Sequence, residues 1–339
     1  MARVALIACS NGLGHVRRMI LLALQLQERG VEPTLFAPAK SIERFRNYSL
    51  NLNSIQTEEH VAALDRETLC GTYGWSWLDK WQTSTQCFDA YDVVVSDNSP
   101  EFLAIRPDTI ISGNFLWHQI CAEIDKAHHG FLSQLFARHR PTMITYGGFS
   151  QVVRTEGLRE ISVSILQPNF TAFSTERKGV LISCGTGGAA QQLFNREIRT
   201  MLNDRSIDPE IEFFVEPSIS GDLDGFYQVA DFSEEMFLHI GCAITRPGFG
   251  IISECMRFGI RIFSLYEKDN LEMIRSAEII ARLQVGEDFI GGTKGIEQIS
   301  SFLRDREQKE NQIETIKKLG CAMDLAAADV VMSRLEEGR

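Results

Sequence analysis

The chain opens on an unbroken apolar run, Val4-Ala5-Leu6-Ile7-Ala8-Cys9, closed by Ser10-Asn11-Gly12. A run that is apolar at every position predicts a strand buried on both faces, as in a parallel sheet. Apolar positions then recur at helical spacing through Val16, Met19, Ile20, Ala23, Leu24 and Leu26, and Gly30 stands where a helix C-cap belongs. The run "PTLFAPA" (33–39) predicts the next strand, so the opening reads as a parallel β-loop-α-β unit.

Strand patterns follow at "YDVVVSDNS" (91–99), "TIISGN" (109–114), "TMITYGG" (142–148) and "ISVSILQ" (161–167). The first two turn polar at their carboxyl ends, where parallel sheets place ligand-facing residues. "PNFTAFSTERKG" (168–179) has no periodicity and reads as a linker. The opening pattern then returns: "GVLISCGTGGAAQQLF" (179–194) again runs apolar strand, cysteine, glycine turn and helix. Strands are expected at "IEFFVEP" (211–217), "CAIT" (242–245) and "IRIFSLY" (260–266), and helices at 234–241, 250–259 and along 309–337. This alternation predicts an α/β protein of two similar halves, each an open, mostly parallel sheet covered by helices. The expected boundaries are 1–167 for the first domain, 168–179 for the linker, 180–320 for the second domain and 321–339 for a C-terminal helix.

Composition fits that reading. The 339 residues suit two domains of about 150 residues, and 44% hydrophobic with 23% charged residues is ordinary for a folded protein. A net charge of −11 with no basic run argues against nucleic acid as a partner. The eight cysteines are scattered without a C-x-x-C pair, which predicts no zinc site and a reducing, cytoplasmic setting. No stretch of 18 apolar residues and no leader pattern occur, so neither a membrane span nor a signal peptide is expected.

Chemistry is most legible in the second half. In "TRPGFGIISECMRFG" (245–259), Pro247, Gly248 and Gly250 lie between an expected strand and helix. Glycines there let a ligand approach the backbone, and the N–H groups near Ile251 and Ile252 would face an anion. Glu254 follows on the first turn or so, within reach of a sugar hydroxyl beside a phosphate. "CGTGG" (184–188) makes a second glycine loop at the carboxyl end of the first strand of this half, so the two loops can converge on one diphosphate. One such loop alone fits a plain tight turn equally well; two of them with Glu254 favour a nucleotide. Arg246 fits either a phosphate partner or a surface arginine.

The segment "RPGFGIISECMRFGIRI", followed by "EKDNLEM", resembles the donor-nucleotide region of GT-B glycosyltransferases, especially the family-28-like branch related to the peptidoglycan N-acetylglucosaminyltransferase. "NGLGHVRR" resembles the glycine loop and histidine at the start of the same proteins, and "ISGNFLWHQI" is similar to a segment of the GT-like half of plant L-arabinokinases. The matching segments run from residue 3 to about residue 275. The resemblance implies two Rossmann-like domains facing an interdomain cleft, with acceptor mainly on the first, a nucleotide-sugar donor on the second, and the last helix crossing back to the first. It implies that Gly248, Phe249, Gly250 and Ile251 hold the diphosphate, that Glu254 binds the ribose, and that Thr186, Gly187 and Gly188 close over the phosphates. Phe232 and Met236 in "ADFSEEM" stand where the family's base-pocket loop enters a short helix; core packing accounts for them equally well. Asp269-Asn270 is the nearest match to the acid-amide pair that grips donor-sugar hydroxyls, commonly Asp-Gln, and the departure leaves the sugar open, with Glu267 and Glu272 as alternatives.

In the first half His15 is the chemical candidate. It follows Gly12 and Gly14 at the carboxyl end of the first strand, and its ordinary pKa suits proton transfer near neutrality; a capping or core histidine is the alternative. Asp97, Asn98, Asn114 and His118 also end strands and are candidates for the acceptor side, with Asp97 able to orient His15 if the two meet. Trp75, Trp77 and Trp81 fit either sugar stacking or core packing.

Asp-x-Asp in "GDLDG" (221–225) lacks a third ligand, and His128-His129 lacks ligand spacing, so no metal site is expected. A nicotinamide enzyme would need a third loop glycine, where Arg17 stands, and an acid ending the second strand, which instead ends "FAPAK". The expected function is transfer of a sugar from a nucleoside-diphosphate sugar, UDP being the expected nucleotide, to a small-molecule, glycan or lipid-linked acceptor. Inversion, no metal and no tightly bound cofactor are expected. Hydrolysis or epimerisation of a nucleotide sugar on the same fold, or a non-catalytic binding or assembly role, are the alternatives.

Overall fold

Continuous apolar runs become central strands, and their burial explains the pattern: Val4, Ala5, Leu6 and Ile7 are fully shielded, and Val180, Leu181 and Ile182 repeat this in the second half. The computed structural model describes residues 1–9, 12–47, 52–59, 88–120, 126–164, 174–185, 188–202, 208–221, 227–321 and 325–338. The chain divides into two units, Met1–Ser164 with Met323–Arg339, and Ile165–Ala322.

The first unit is built on β1 (Arg3–Ile7), β2 (Glu32–Ala37), β3 (Gln56–Glu59), β4 (Val93–Asp97), β5 (Ile110–Ser112), β6 (Thr142–Tyr146) and β7 (Arg159–Val163). Their order is β3-β2-β1-β4-β5-β6-β7, with parallel pairing throughout. Because β1 lies between β2 and β4, the strand order reverses there, and such a switch point opens a crevice beyond the carboxyl ends of its strands. Phe36, Phe88, Tyr91 and Phe102 pack under one region of the sheet; Leu103, Ile111, Leu132, Phe136 and Met143 form a second core cluster.

The second unit repeats the plan with β8 (Gly179–Ser183), β9 (Glu212–Val215), β10 (Gln228–Val229), β11 (Ile240–Thr245), β12 (Arg261–Ser264) and β13 (Gly286–Asp288). The order is β10-β9-β8-β11-β12-β13, again all parallel, with the switch point between β8 and β11. Val180, Ile182, Phe194, Ile198, Phe263 and Phe302 anchor its core. The helix Phe249–Phe258 ends on Gly259 in the left-handed conformation (φ 70°), which supplies the glycine stop expected from the sequence.

Two expected elements differ in detail. The segment 309–337, expected as one long helical stretch, is two helices, Arg306–Cys321 and Ala327–Glu337. The second starts afresh because Asp329 Oδ2 accepts the Ala326 N–H at 2.8 Å, satisfying a donor at the new helix start. That helix packs on the helix Leu13–Glu28 and on β4, burying Ala328 and Val331. Of the strand expected at 161–167, residues 165–167 lie outside the described residues; the described strand is Arg159–Val163, paired to β6 from Thr142↔Arg159 to Tyr146↔Val163. No helix among the described residues is long and apolar enough to cross a membrane.

Candidate active site

The helix Leu13–Glu28 follows β1 and turns Val16, Met19, Ile20, Ala23 and Leu26 into the core. Its N-cap is Gly12, which places Gly14 and His15 in the first turn beside the carboxyl end of β4. There His15 Nδ1 lies 2.7 Å from Asp97 Oδ2. Asp97 is fully buried and His15 is 12% exposed. Arg18, one turn along the same helix, donates through Nε to Asp97 Oδ1 at 2.7 Å, and its Nη2 lies 2.6 Å from the same oxygen. A buried carboxylate is costly unless paired, and this guanidinium supplies the counter-charge. Arg18 Nη2 also lies 3.1 Å from His15 Nδ1, but the Asp97 carboxylate is nearer and can only accept, so the imidazole proton belongs on Nδ1. Nε2 is left with the lone pair, the form a general base requires.

Around this pair stand polar groups from the ends of neighbouring strands. Asn98 is fully buried with a left-handed backbone (φ 50°), and neither atom of its side-chain amide has a hydrogen-bond partner. Asn114 accepts the Tyr146 N–H through Oδ1 at 2.8 Å while its Nδ2 is unpaired. Tyr146 shares a 2.9 Å hydrogen bond with Ser112 Oγ, and burial pushes its phenol up to about 12, so it stays protonated. The Arg18 guanidinium sits 5.3 Å from the Tyr146 ring centroid. Phe115 and Trp117 each place a ring centroid 6.2 Å from that of His15. His118 has an unpaired Nδ1; burial, with His129 and His128 adding, pushes its pKa down to about 4, so the ring is neutral near pH 7. The adjacent His128 is accounted for structurally, its Nε2 lying 3.0 Å from buried Glu101 Oε1.

In the second unit, β8 and β11 lie side by side with Ser183 opposite Thr245, and the Arg246 N–H donates to the Ser183 carbonyl at 3.1 Å. The helix Phe249–Phe258 starts at Gly248 with no side-chain cap, so its amide end, including Gly250 and Ile251, is held by no capping side chain. Glu254 is buried on the second turn rather than the first, because the helix begins at Phe249. The Arg246 guanidinium is engaged by Glu267, Nε to Oε2 at 3.0 Å. Asn270 caps the helix Leu271–Arg282, its Oδ1 accepting the Met273 N–H at 3.2 Å, while Asp269 is exposed. Met236 is buried, as core packing requires, whereas Phe232 is half-buried in the left-handed region (φ 55°).

Gly188 opens the helix Gly188–Leu202. Thr186, Gly187, Trp75, Trp77, Trp81 and most of the 221–225 segment lie outside the described residues. Among the described residues no group of three or more His, Cys, Asp or Glu is placed to hold a metal ion. Cys9, Cys184, Cys242 and Cys255 are buried thiols.

Arg18 on Asp97, Trp117 beside His15 and Glu216 on the loop after β8 are contacts that the sequence reading did not single out. Glu216, at the end of β9, is 3% exposed and accepts hydrogen bonds from the loop that leaves β8. The polar-end rule that marks Asp97 on β4 applies to Glu216 as well. Arg18 reads as one of two adjacent arginines on a helix and carries no such mark.

No protein-family model matches the chain, and no curated protein matches it in sequence. Solved structures match along nearly its whole length. The spinosyn forosaminyltransferase SpnP aligns with a TM-score of 0.67 at 14% identity, covering 99% of this chain and 98% of that one. Arabidopsis thaliana UGT89C1, solved with UDP-L-rhamnose, aligns at 0.66 and 15% identity, covering 99% of each chain. MurG of Acinetobacter baumannii aligns at 0.61 and 15% identity, covering 99% and 100%. The fold is GT-B, two Rossmann-like domains with parallel sheets of seven and six strands. At such identities the likeness carries the fold and leaves activity to the site itself.

Proposed function

We propose that this chain is a glycosyltransferase that moves a sugar from a nucleoside-diphosphate sugar, with UDP as the nucleotide, to a hydroxyl acceptor. The observation that carries this reading is the buried His15–Asp97 pair at the switch point of the first unit, with Nδ1 to Oδ2 at 2.7 Å. His15 Nε2 takes the proton of the acceptor hydroxyl, Asp97 balances the imidazolium that forms, and the acceptor oxygen bonds to the anomeric carbon. The bond from that carbon to the diphosphate breaks in the same step, so the configuration inverts. Leaving-group charge is met by the backbone N–H groups at the start of the helix Phe249–Phe258 and by its dipole, with no metal taking part.

Donor binding is assigned to the second unit, with Gly248, Phe249, Gly250 and Ile251 at the diphosphate, Glu254 at the ribose, Phe232 at the base, and Gly188 with Thr186 and Gly187 over the phosphates. Asp269, Asn270 and Glu267 are assigned to the donor sugar, of hexosyl or N-acetylhexosaminyl type. Gly12, Gly14, Asn98, Asn114 and His118 are assigned to the acceptor side. The MurG likeness supports kinship with the family-28-like branch, and the UDP-L-rhamnose held by UGT89C1 supports a nucleotide-sugar donor. A cytoplasmic location goes with this reading.

The test is a thermal-shift screen of UDP, GDP, TDP, CDP and NAD, followed by UDP release from UDP-sugars with and without acceptors. Stabilisation by UDP and acceptor-dependent release are expected. Stabilisation by NAD alone overturns the reading; release that ignores the acceptor replaces transfer with hydrolysis.

A further inference from the structure

The loop that leaves β8 is held by a side chain from the neighbouring strand. Glu216 Oε2 accepts the Ser183 hydroxyl at 3.0 Å, the Cys184 N–H at 2.9 Å and the Gly185 N–H at 3.0 Å. Donors from three consecutive residues thus meet on one oxygen, and Gly185 takes φ 71° between them and the helix that follows. Successive backbone amides turned to one point make a concavity that suits an anion. Here that concavity is filled from within, by a carboxylate that is itself 3% exposed.

The consequence for a phosphate is specific. The amides of Cys184 and Gly185 are committed to Glu216, so the early part of the glycine loop offers them to no ligand. Ser183 also accepts the Arg246 N–H at 3.1 Å, so one residue joins Glu216 on one side to the loop after β11 on the other. Ser183 thus touches both Glu216 and the start of the loop that leads to the helix Phe249–Phe258.

We propose that Glu216 is a positioning residue for the donor diphosphate. It acts as an internal anion that holds Ser183, Cys184 and Gly185 at the end of β8, leaving the diphosphate to the start of the helix Phe249–Phe258. This rests on the donor-site reading given above. One oxygen takes all three hydrogen bonds, so a glutamine can keep them through its amide oxygen while losing the charge, and an alanine cannot.

The experiment is titration calorimetry of wild type, E216A and E216Q with UDP, alongside the unfolding midpoint of each protein. E216A should weaken UDP by about tenfold or more, and E216Q should stay within about threefold of wild type. E216A binding UDP as wild type does while folded overturns the proposal. So does equal weakening in both variants, which would point to the charge, and so does tighter binding by E216A, which would show competition with phosphate. If E216A fails to fold, G185A replaces it, since a side chain at φ 71° strains the same loop; unchanged UDP affinity there overturns the proposal too. Wild type that binds no nucleoside diphosphate instead overturns the donor-site reading, and the two failures are thereby told apart.

Discussion

His15 Nδ1 and Asp97 Oδ2 meet at 2.7 Å although 82 residues separate them in the chain. The meeting follows from topology: β1 and β4 are hydrogen-bonded neighbours, so the helix that starts after β1 brings its first turn to the end of β4.

Replacing His15 by alanine removes the proposed base and nothing in the second unit. Turnover should fall by about 10²- to 10⁴-fold while UDP affinity stays within about twofold. Steady-state UDP release and calorimetry on the same preparation check both parts; a H15A enzyme that keeps its rate would rule out the assigned role.

Asp97→Asn tests the tautomer. Asparagine has one acceptor oxygen where Asp97 serves both Arg18 and His15, so either the guanidinium or the imidazole then faces an amide N–H. The rate should fall by a factor comparable to that of H15A. The buried Arg18 also loses its counter-charge, a loss of about 3 to 5 kcal/mol in stability. Chemical denaturation measures the second effect, and an unchanged midpoint would contradict the counter-charge argument.

Glu254→Ala should weaken UDP by roughly tenfold or more, the value of one or two hydrogen bonds from a charged acceptor to ribose hydroxyls. Deoxyribose analogues supply the control. If wild type binds UDP and 2′,3′-dideoxy-UDP equally, Glu254 has no ribose to hold.

His118 makes stability depend on pH. Burial, reinforced by His129 and His128, holds its folded-state pKa at about 4, against an ordinary value of 6.5. Between those values the unfolded chain binds a proton that the folded chain does not, so stability is whole above about pH 6.5 and declines as the pH falls toward 4. The full decline is on the order of 3 kcal/mol. Denaturation curves of wild type and H118N across this window should differ in slope, the variant being flatter; parallel curves would remove His118 from the account.

The strands and glycine turns are readable from the chain because a doubly covered parallel strand must be almost wholly apolar: β1 is so after Arg3, and β4, β8 and β11 are so up to their carboxyl ends. His15 is readable for a related reason: it lies in the first turn of the helix that follows such a strand. Its partner is not, since pairing of β1 with β4 is a tertiary fact that no local spacing encodes. Arg246 and Asn270 carry contacts that residue type alone does not announce: Arg246 pairs with Glu267, and Asn270 lends its oxygen to a helix start. Glu216 ends an apolar run as Asp97 does, but only the lateral pairing of β9 with β8 brings it to the loop.

The helix Ala327–Glu337 belongs to the first unit, although the whole of the second unit precedes it in the chain. During synthesis, then, the second unit is a continuous stretch that can finish folding on its own schedule. The first must wait: the surface of the helix Leu13–Glu28 and of β4 that Ala328 and Val331 cover stays bare until residues 327–337 emerge. The half that carries His15 starts first and is completed last.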